Sequence, residues 1–315
     1  FKAAKDLGIA RVAIYHASDN PALESEREEA SGSTNTSWRV VNQVLRLATV
    51  TCSVFKGGVQ TLINAGYPNP RYVGPMPDVS FLAPSDTVEH KGEYRNVKGV
   101  YDLRGKVIIF APHSIISGKG HMALLMALEA LKNKGYQVAV VISSGTHDAE
   151  YLKGLLDYAR NSGLTYRVVS RASDDEDIAF RVKDSGNSTD AKVDIVFITT
   201  GLTQAQLPVF YPSVDVMALP TYAEAFSLSL VEAFIMGVPV VATRVGGVPD
   251  AVIDGMNGAL FESGKWNDAE HAANLTGALE RVVSVSADER SRMGEAGKRN
   301  IIENHHPSSL IRHHQ

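Results

Sequence analysis

The sequence predicts an α/β fold built from parallel, doubly wound sheets, and three observations carry this. Short apolar runs rich in Val, Ile and Ala recur along the chain, among them ARVAIY (10–15), KVIIFA (106–111) and VVA (240–242). Continuous runs of that length suit strands covered on both faces. Segments with apolar residues at helical spacing alternate with them, as in MALLMALEALKNKG (122–135), and strand–helix alternation is the mark of a parallel sheet with crossover helices. Glycines such as Gly8, Gly66 and Gly237 close the helical stretches, where a left-handed residue ends a helix without steric cost.

Taken in order, residues 1–9 read as the end of a helix and 10–15 as a strand, with His16 just past it. In open α/β sheets, ligands gather at the carboxyl ends of strands. His16 therefore has two readings, a hydrogen-bonded loop residue or part of a site. Residues 17–36 are polar and acidic and read as a loop or frayed helix. A helix over 38–47, a short strand over 49–53 and a helix over 56–65 follow, then GPMPDVSFLAP with Asp78 and Phe81. Polar residues 85–100 place an interlobe connection. The second lobe opens with the strand at 106–111. A loop carrying Gly118, Lys119, Gly120 and His121 leads into its first helix. Strands at 138–142, 166–170, 194–199 (ending at Gly201) and 214–219 alternate with helices at 149–161 and 204–210. Residues 171–191 read as a polar insertion. A short strand (ALF) and helices at 268–284 and 288–304 finish the chain. His305, His306, His313 and His314 lack zinc spacing and read as a frayed tail.

Composition excludes several classes. The 315 residues suffice for two lobes with sizeable cores. Hydrophobic residues at 44% and charged residues at 21% are ordinary for a soluble globular protein. A formal net charge of −4 gives no electrostatic footprint for nucleic acid. No apolar run approaches a membrane span. Cys52 is the single cysteine, so no intrachain disulfide forms, and a reducing compartment fits. Its neighbours suit a small buried residue better than a nucleophile.

The stretch that organises the chain is 220–247, PTYAEAFSLSLVEAFIMGVPVVATRVGG. It reads as a tight turn, a short buried helix that Ser227 can cap, and a strand ending in paired glycines. Glu224 stands in the turn and Glu232 inside the apolar helix. A buried carboxylate costs several kcal/mol, on the order of the transfer penalties, unless paired. Glu232 is then either structural, bonded to a backbone amide or an arginine, or it faces a pocket together with Glu224. Ionised carboxylates accept hydrogen bonds only, which suits sugar and ribose hydroxyls. The adjacent helix N-terminus suits a phosphate.

Glu224 and Glu232 enclose seven residues. With the preceding VDVMALP, the following GVPVVAT and the GG-x-P-[DE] ending at Asp250, the stretch resembles the signature of retaining GT-B glycosyltransferases of family 4. The resemblance implies two Rossmann-like lobes: a partial acceptor-side lobe at 1–95, a nucleotide-sugar-binding lobe at 96–284, and a C-terminal helix and tail at 285–315. It implies that the last helix packs back across the first lobe. It also implies catalytic roles for Glu224 toward the donor sugar, for Lys119 toward the diphosphate and for His16 from the first lobe. Donor binding falls to Glu232 at the ribose, to Ala225, Phe226 and Ser227 at the helix entrance, and to Gly201 and His113. Family members carry an arginine where this chain reads PHSIISGKG, with His113 near the arginine position and one extra residue. Half of the cationic clamp is therefore missing or replaced.

The function expected is transfer of a sugar from a nucleotide-diphosphate sugar to an acceptor hydroxyl, carbohydrate or lipid, with retention at the anomeric carbon. The alternative is a nucleotide-sugar-binding or regulatory module that lost catalysis. No cofactor or metal is expected beyond the donor itself. Asp175 and Asp177 form a D-x-D pattern, but in an acidic run that suits a solvated face. A cytoplasmic protein is expected, or one at the cytosolic face of a membrane. Residues 10–83 match only the latter part of the family's first lobe. The expectation is thus a chain lacking the opening strands, able to bind nucleotide but transferring little sugar alone.

Overall fold

The structure is a computed structural model describing residues 12–15, 37–73, 103–169, 185–186, 193–264 and 266–305. His16, Asp78, Phe81, Asp175 and Asp177 lie outside these residues. So do the acidic segment 17–36 and the proposed connection at 85–100.

Two parallel sheets form. The first joins β1 (Val12–Tyr15), β2 (Val50–Ser53) and β3 (Pro70–Tyr72), in that order. Helices α1 (Ser37–Leu47) and α2 (Lys56–Asn64) link its strands. Ala13, Leu45, Ala48, Leu62 and Tyr67 make its core. Cys52 is buried, as its apolar setting predicts.

The second sheet has eight strands. They are β4 (Val107–Ala111), β5 (Val138–Ser143), β6 (Tyr166–Val169), β7 (Ser185–Gly186), β8 (Ile195–Ile198), β9 (Val216–Leu219), β10 (Val240–Thr243) and β11 (Gly258–Phe261). Their spatial order is β11-β10-β9-β4-β5-β8-β6-β7. All pairings are parallel except that of β7. From β4 the chain moves outward through β5, and from β9 it moves the other way through β10 and β11. The β4–β9 boundary is therefore the topological switch point, where open α/β sheets bind ligands.

Both faces of this sheet are covered. Helices α3 (His121–Asn133), α4 (Ala149–Asn161) and α8 (Asp268–Val283) share one core with Ile109, Val140, Val216 and Val241. Helices α5 (Leu207–Phe210), α6 (Leu228–Ile235), α7 (Val248–Ala251) and α9 (Ala287–Asn304) share the other with Ile108, Phe110, Val141 and Met217. Neighbouring strand residues thus serve opposite cores, the period-two alternation of a pleated strand. Each such side chain, once fully buried, contributes about 1.5–3 kcal/mol.

Several expectations change. Helix α5 begins at Leu207 rather than 204, because Pro208 lacks an amide hydrogen and sits where a helix does not need one. The chain continues as a 3₁₀ turn over Tyr211–Ser213. Strand β7 and helix α7 are additions that the sequence pattern did not signal. Leu228 is exposed, on the open side of α6. Among the described residues, helix α9 packs chiefly on α6, α7 and β11. That docking carries His305 inside, at 2% exposure, so it is no frayed residue. None of the described helices is long and apolar enough to cross a membrane.

At the end of the sheet away from the switch point, Asp194 is gripped by Lys106 at 3.1 Å and Lys132 at 2.5 Å. Burial pushes the Asp194 carboxyl up, but Lys132, the Thr165 backbone and Lys106 outweigh it and hold the group below its usual range.

Candidate functional site

The loops after β4 and β9 meet at the switch point. The β4 loop ends in a 3₁₀ turn, Ser117–Lys119, followed by Gly120. Gly120 has φ 70°, and a Cβ there would stand 1.9 Å from the Pro220 carbonyl oxygen. Only glycine allows the two loops this approach. Tyr222 N–H donates to the Gly118 carbonyl at 3.0 Å, and the Thr221 hydroxyl donates to the same oxygen at 3.1 Å. His271 reaches the Pro220 carbonyl from beneath at 2.9 Å.

This join brings two of the expected residues together. Lys119 Nζ donates to Glu224 Oε2 at 2.9 Å, with side-chain exposures of 25% and 17%. The pair is accessible yet partly desolvated, so its charges act more strongly than surface ones.

Helix α6 rises from the same loop. Ser227 holds the N-cap position with extended backbone but makes no capping bond, which corrects the expected cap. Its hydroxyl pairs instead with that of Ser229 at 2.9 Å. Among the described residues, no side chain therefore caps the first-turn amides of α6. Ala225 and Phe226 line the entrance, each partly buried.

Glu232 sits one turn further on, also partly buried. Among the described residues no arginine pairs with it; the fully buried Tyr211, whose hydroxyl also lies 3.5 Å from the Ser229 carbonyl oxygen, is the group that bears on its carboxyl. Burial raises the Glu232 carboxyl, and Tyr211 donating to it offsets part of the rise. Tyr211 comes from the 3₁₀ turn before β9, and the sequence offered no signal linking the two.

The His113 and His121 rings lie against each other, tilted by 35°, with centroids 5.0 Å apart. None of their four ring nitrogens has a partner in hydrogen-bond geometry, and all are buried. Burial, His121 and Lys119 push His113 well down. Burial drives His121 to about 4, with Lys119 assisting and the Ile116 backbone opposing. Both rings are neutral at pH 7. His113 thus brings no positive charge to the place of the expected arginine, and Lys119 is the cation of this loop. Gly201, with φ 71°, lies against the backbone of Gly145 where the loops after β8 and β5 meet. Among the described residues, no group of three or more His, Cys, Asp or Glu side chains is arranged to hold a metal.

A match to known proteins falls on this part of the chain. Residues 187–300 match the family model of glycosyl transferases group 1. The group 1 segment runs from before β8 into α9, and so contains Gly201, Glu224, Glu232 and Asp250 but not Lys119 or His113. The D-inositol 3-phosphate glycosyltransferase of Thermobifida fusca is 37% identical over 117 residues, which is 37% of this chain and 24% of that protein. The enzyme of the same name from Corynebacterium diphtheriae is 40% identical over 102 residues, 25% of this chain and 24% of its own length. The match thus spans about a quarter of these relatives. Anabaena HepE, solved with UDP and glucose, superposes with a TM-score of 0.68 at 17% identity, covering 99% of this chain and 72% of that one. Sucrose-phosphate synthase from Thermosynechococcus elongatus gives 0.69 at 15% identity, covering 99% and 68%. The fold is thus the GT-B arrangement of these two structures.

Proposed function

We propose that this chain transfers a sugar from a nucleotide-diphosphate sugar to an acceptor hydroxyl, with retention at the anomeric carbon. The observation that carries this is the Lys119–Glu224 pair at the switch point, beside the uncapped entrance of α6. Negative charge grows on the diphosphate as its bond to the anomeric carbon breaks. Lys119 and the amides around Ala225, Phe226 and Ser227 meet that charge, as preorganised donors do in other transferases. Glu224, released from Lys119 by the anion, accepts from donor-sugar hydroxyls. Glu232 accepts from the ribose, with the Tyr211 hydroxyl fixing its orientation. Gly201 and His113 wall the donor side, His113 as a neutral ring. His16 approaches from the first lobe. The acceptor oxygen bonds to the anomeric carbon as that carbon's bond to the diphosphate breaks, and the acceptor proton passes to an oxygen of the leaving diphosphate.

No divalent ion takes part in this proposal, because Lys119 and the helix entrance supply the positive potential. The donor-binding unit is the second lobe, 96–284, and the acceptor side is 1–95, in a protein of the cytoplasm or the cytosolic face of a membrane. A panel of labelled nucleotide-diphosphate sugars, tested on the intact protein for binding and for transfer to carbohydrate and lipid acceptors, tests it. Transfer with the retained anomer supports the proposal. Binding without transfer or hydrolysis points to a module that only holds the nucleotide sugar.

A further inference from the structure

Helix α2 of the first lobe has no cap of its own. Its N-cap residue is Phe55, which has extended backbone and no polar side chain to offer. Yet the first amide of the helix is satisfied. Lys56 N–H donates to Asp250 Oδ2 at 2.9 Å, across 194 residues of sequence. A carboxylate suits a helix N-terminus both as an acceptor and against the helix dipole. Here it comes from α7 of the other lobe.

Asp250 is held from behind. His305 Nε2 lies 3.0 Å from the Asp250 carbonyl oxygen. That oxygen can only accept, so Nε2 carries the proton and the buried Nδ1 is bare. The Asp250 amide donates to the Gly247 carbonyl at 3.1 Å. The glycine pair before it is wedged between lobes. A Cβ on Gly247 would stand 2.5 Å from the Phe55 Cβ and 2.6 Å from the Ala225 carbonyl oxygen, and a Cβ on Gly246 would stand 1.7 Å from the Glu224 carbonyl oxygen. Gly247 N–H donates to Ala225 at 2.7 Å. Tyr72, at the end of β3, is pushed up to about 12 by burial and then by the Asp250 charge, so its hydroxyl stays protonated.

One short turn therefore touches the first lobe through Asp250 and Gly247 and the Glu224 loop through Gly246 and Gly247. We infer that Asp250 is a positioning residue, which caps α2 across the lobes and so sets the β2–α2 corner at a fixed distance from Glu224. It does not touch the donor. Its consequence for transfer rests on the function proposed above, but the contact itself does not.

Amide hydrogen exchange on the intact chain tests it. Asp250→Ala should speed exchange of the Lys56 amide about fivefold, the loss of one typical cap. Strands β4, β9 and β10 should keep their protection. Asp250→Asn, which keeps an acceptor oxygen, should stay within about twofold of wild type by the same capping preference. If Asp250→Ala fails to fold, Gly247→Ala serves: its methyl presses on Phe55 and should loosen Lys56 with the carboxylate intact. Lys56 exchange unchanged in Asp250→Ala, or in Gly247→Ala where that variant stands in, overturns the inference. Donor affinity provides a separate readout. Asp250→Ala should bind nucleotide-diphosphate sugars as wild type does while turning over more slowly. If wild type binds no such donor, the proposed function fails, and the exchange result still decides the role of Asp250.

Discussion

Lys119 Nζ and Glu224 Oε2 stand 2.9 Å apart, carried by the loops after two neighbouring strands, β4 and β9. Without a ligand each neutralises the other. An arriving diphosphate competes with Glu224 for Lys119, so the pair acts as a counter-ion exchange. Glu224→Gln should therefore not weaken nucleoside diphosphate binding and can strengthen it, because the competing carboxylate is gone. It should lower sugar transfer, because a donor-sugar contact is lost. Calorimetric titration with a nucleoside diphosphate, beside a transfer assay, separates the two effects. Weaker diphosphate binding in a folded Glu224→Gln protein would contradict the exchange.

The Glu232 carboxyl is shifted by its surroundings. Burial raises its carboxyl above the ordinary value of 4.5, the Tyr211 hydroxyl holding it partly back. The ionised form is the one that accepts from ribose. Nucleotide affinity should therefore fall with decreasing pH at a midpoint above that of an exposed glutamate. Glu232→Ala should cost roughly 1–3 kcal/mol of nucleotide binding, the scale of hydrogen bonds to charged groups. Tyr211→Phe should raise the acidic midpoint further. Nucleotide affinity unchanged in a folded Glu232→Ala protein removes Glu232 from the site.

His121 makes the fold acid-sensitive. An unfolded histidine titrates near 6.5, and the buried ring is at about 4. The folded state thus binds fewer protons in between. Stability is full above 6.5 and declines as pH falls toward 4. Between pH 7.5 and 5.5 the loss from this one group is about 1 kcal/mol. His121→Leu removes the contribution of His121 while leaving that of the likewise depressed His113, and should make that slope shallower in urea titrations. An unchanged slope would show that His121 is not the group responsible.

Much of this was legible in the sequence. Helix α4 falls on the residues that its spacing predicts, and α6 ends within a residue of its predicted end, because Gly237 stops it. Both sheets follow from strand–helix alternation. What was not legible depends on tertiary contact. Tyr211 meets Glu232 only because a 3₁₀ turn folds beneath α6. His305 looked like tail because four histidines in a polar end carry no period, and only the docking of α9 buries it. Ser227 has the right chemistry for a cap, but the Ser229 hydroxyl competes for it. The neutrality of His113 comes first from its burial and then from His121 and Lys119 beside it, neighbours that spacing does not announce.

Asp194 anchors the end of the sheet away from the site. Asp194→Ala leaves Lys106 and Lys132 without their partner. It should destabilise the fold by about 3–5 kcal/mol, as breaking a buried pair does. Nucleotide affinity at low temperature should be unaffected. Thermal unfolding beside calorimetry checks both, and a loss of affinity without loss of stability would place Asp194 in the wrong role.

Chelation separates metal from helix-and-lysine chemistry. Transfer by the intact protein should persist in excess EDTA and gain little from magnesium or manganese. Activity that vanishes with chelator and returns with either ion would bring Asp175 and Asp177 back as ligands.

The most direct measurement is calorimetric titration of nucleotide-diphosphate sugars into wild type and Lys119→Ala. Wild type should bind at least one donor saturably, with one site per chain. Lys119→Ala should weaken that binding about tenfold to a hundredfold, the loss of one charged contact to phosphate. No binding by wild type, or equal affinity in a folded Lys119→Ala protein, contradicts a donor site at the β4–β9 switch point.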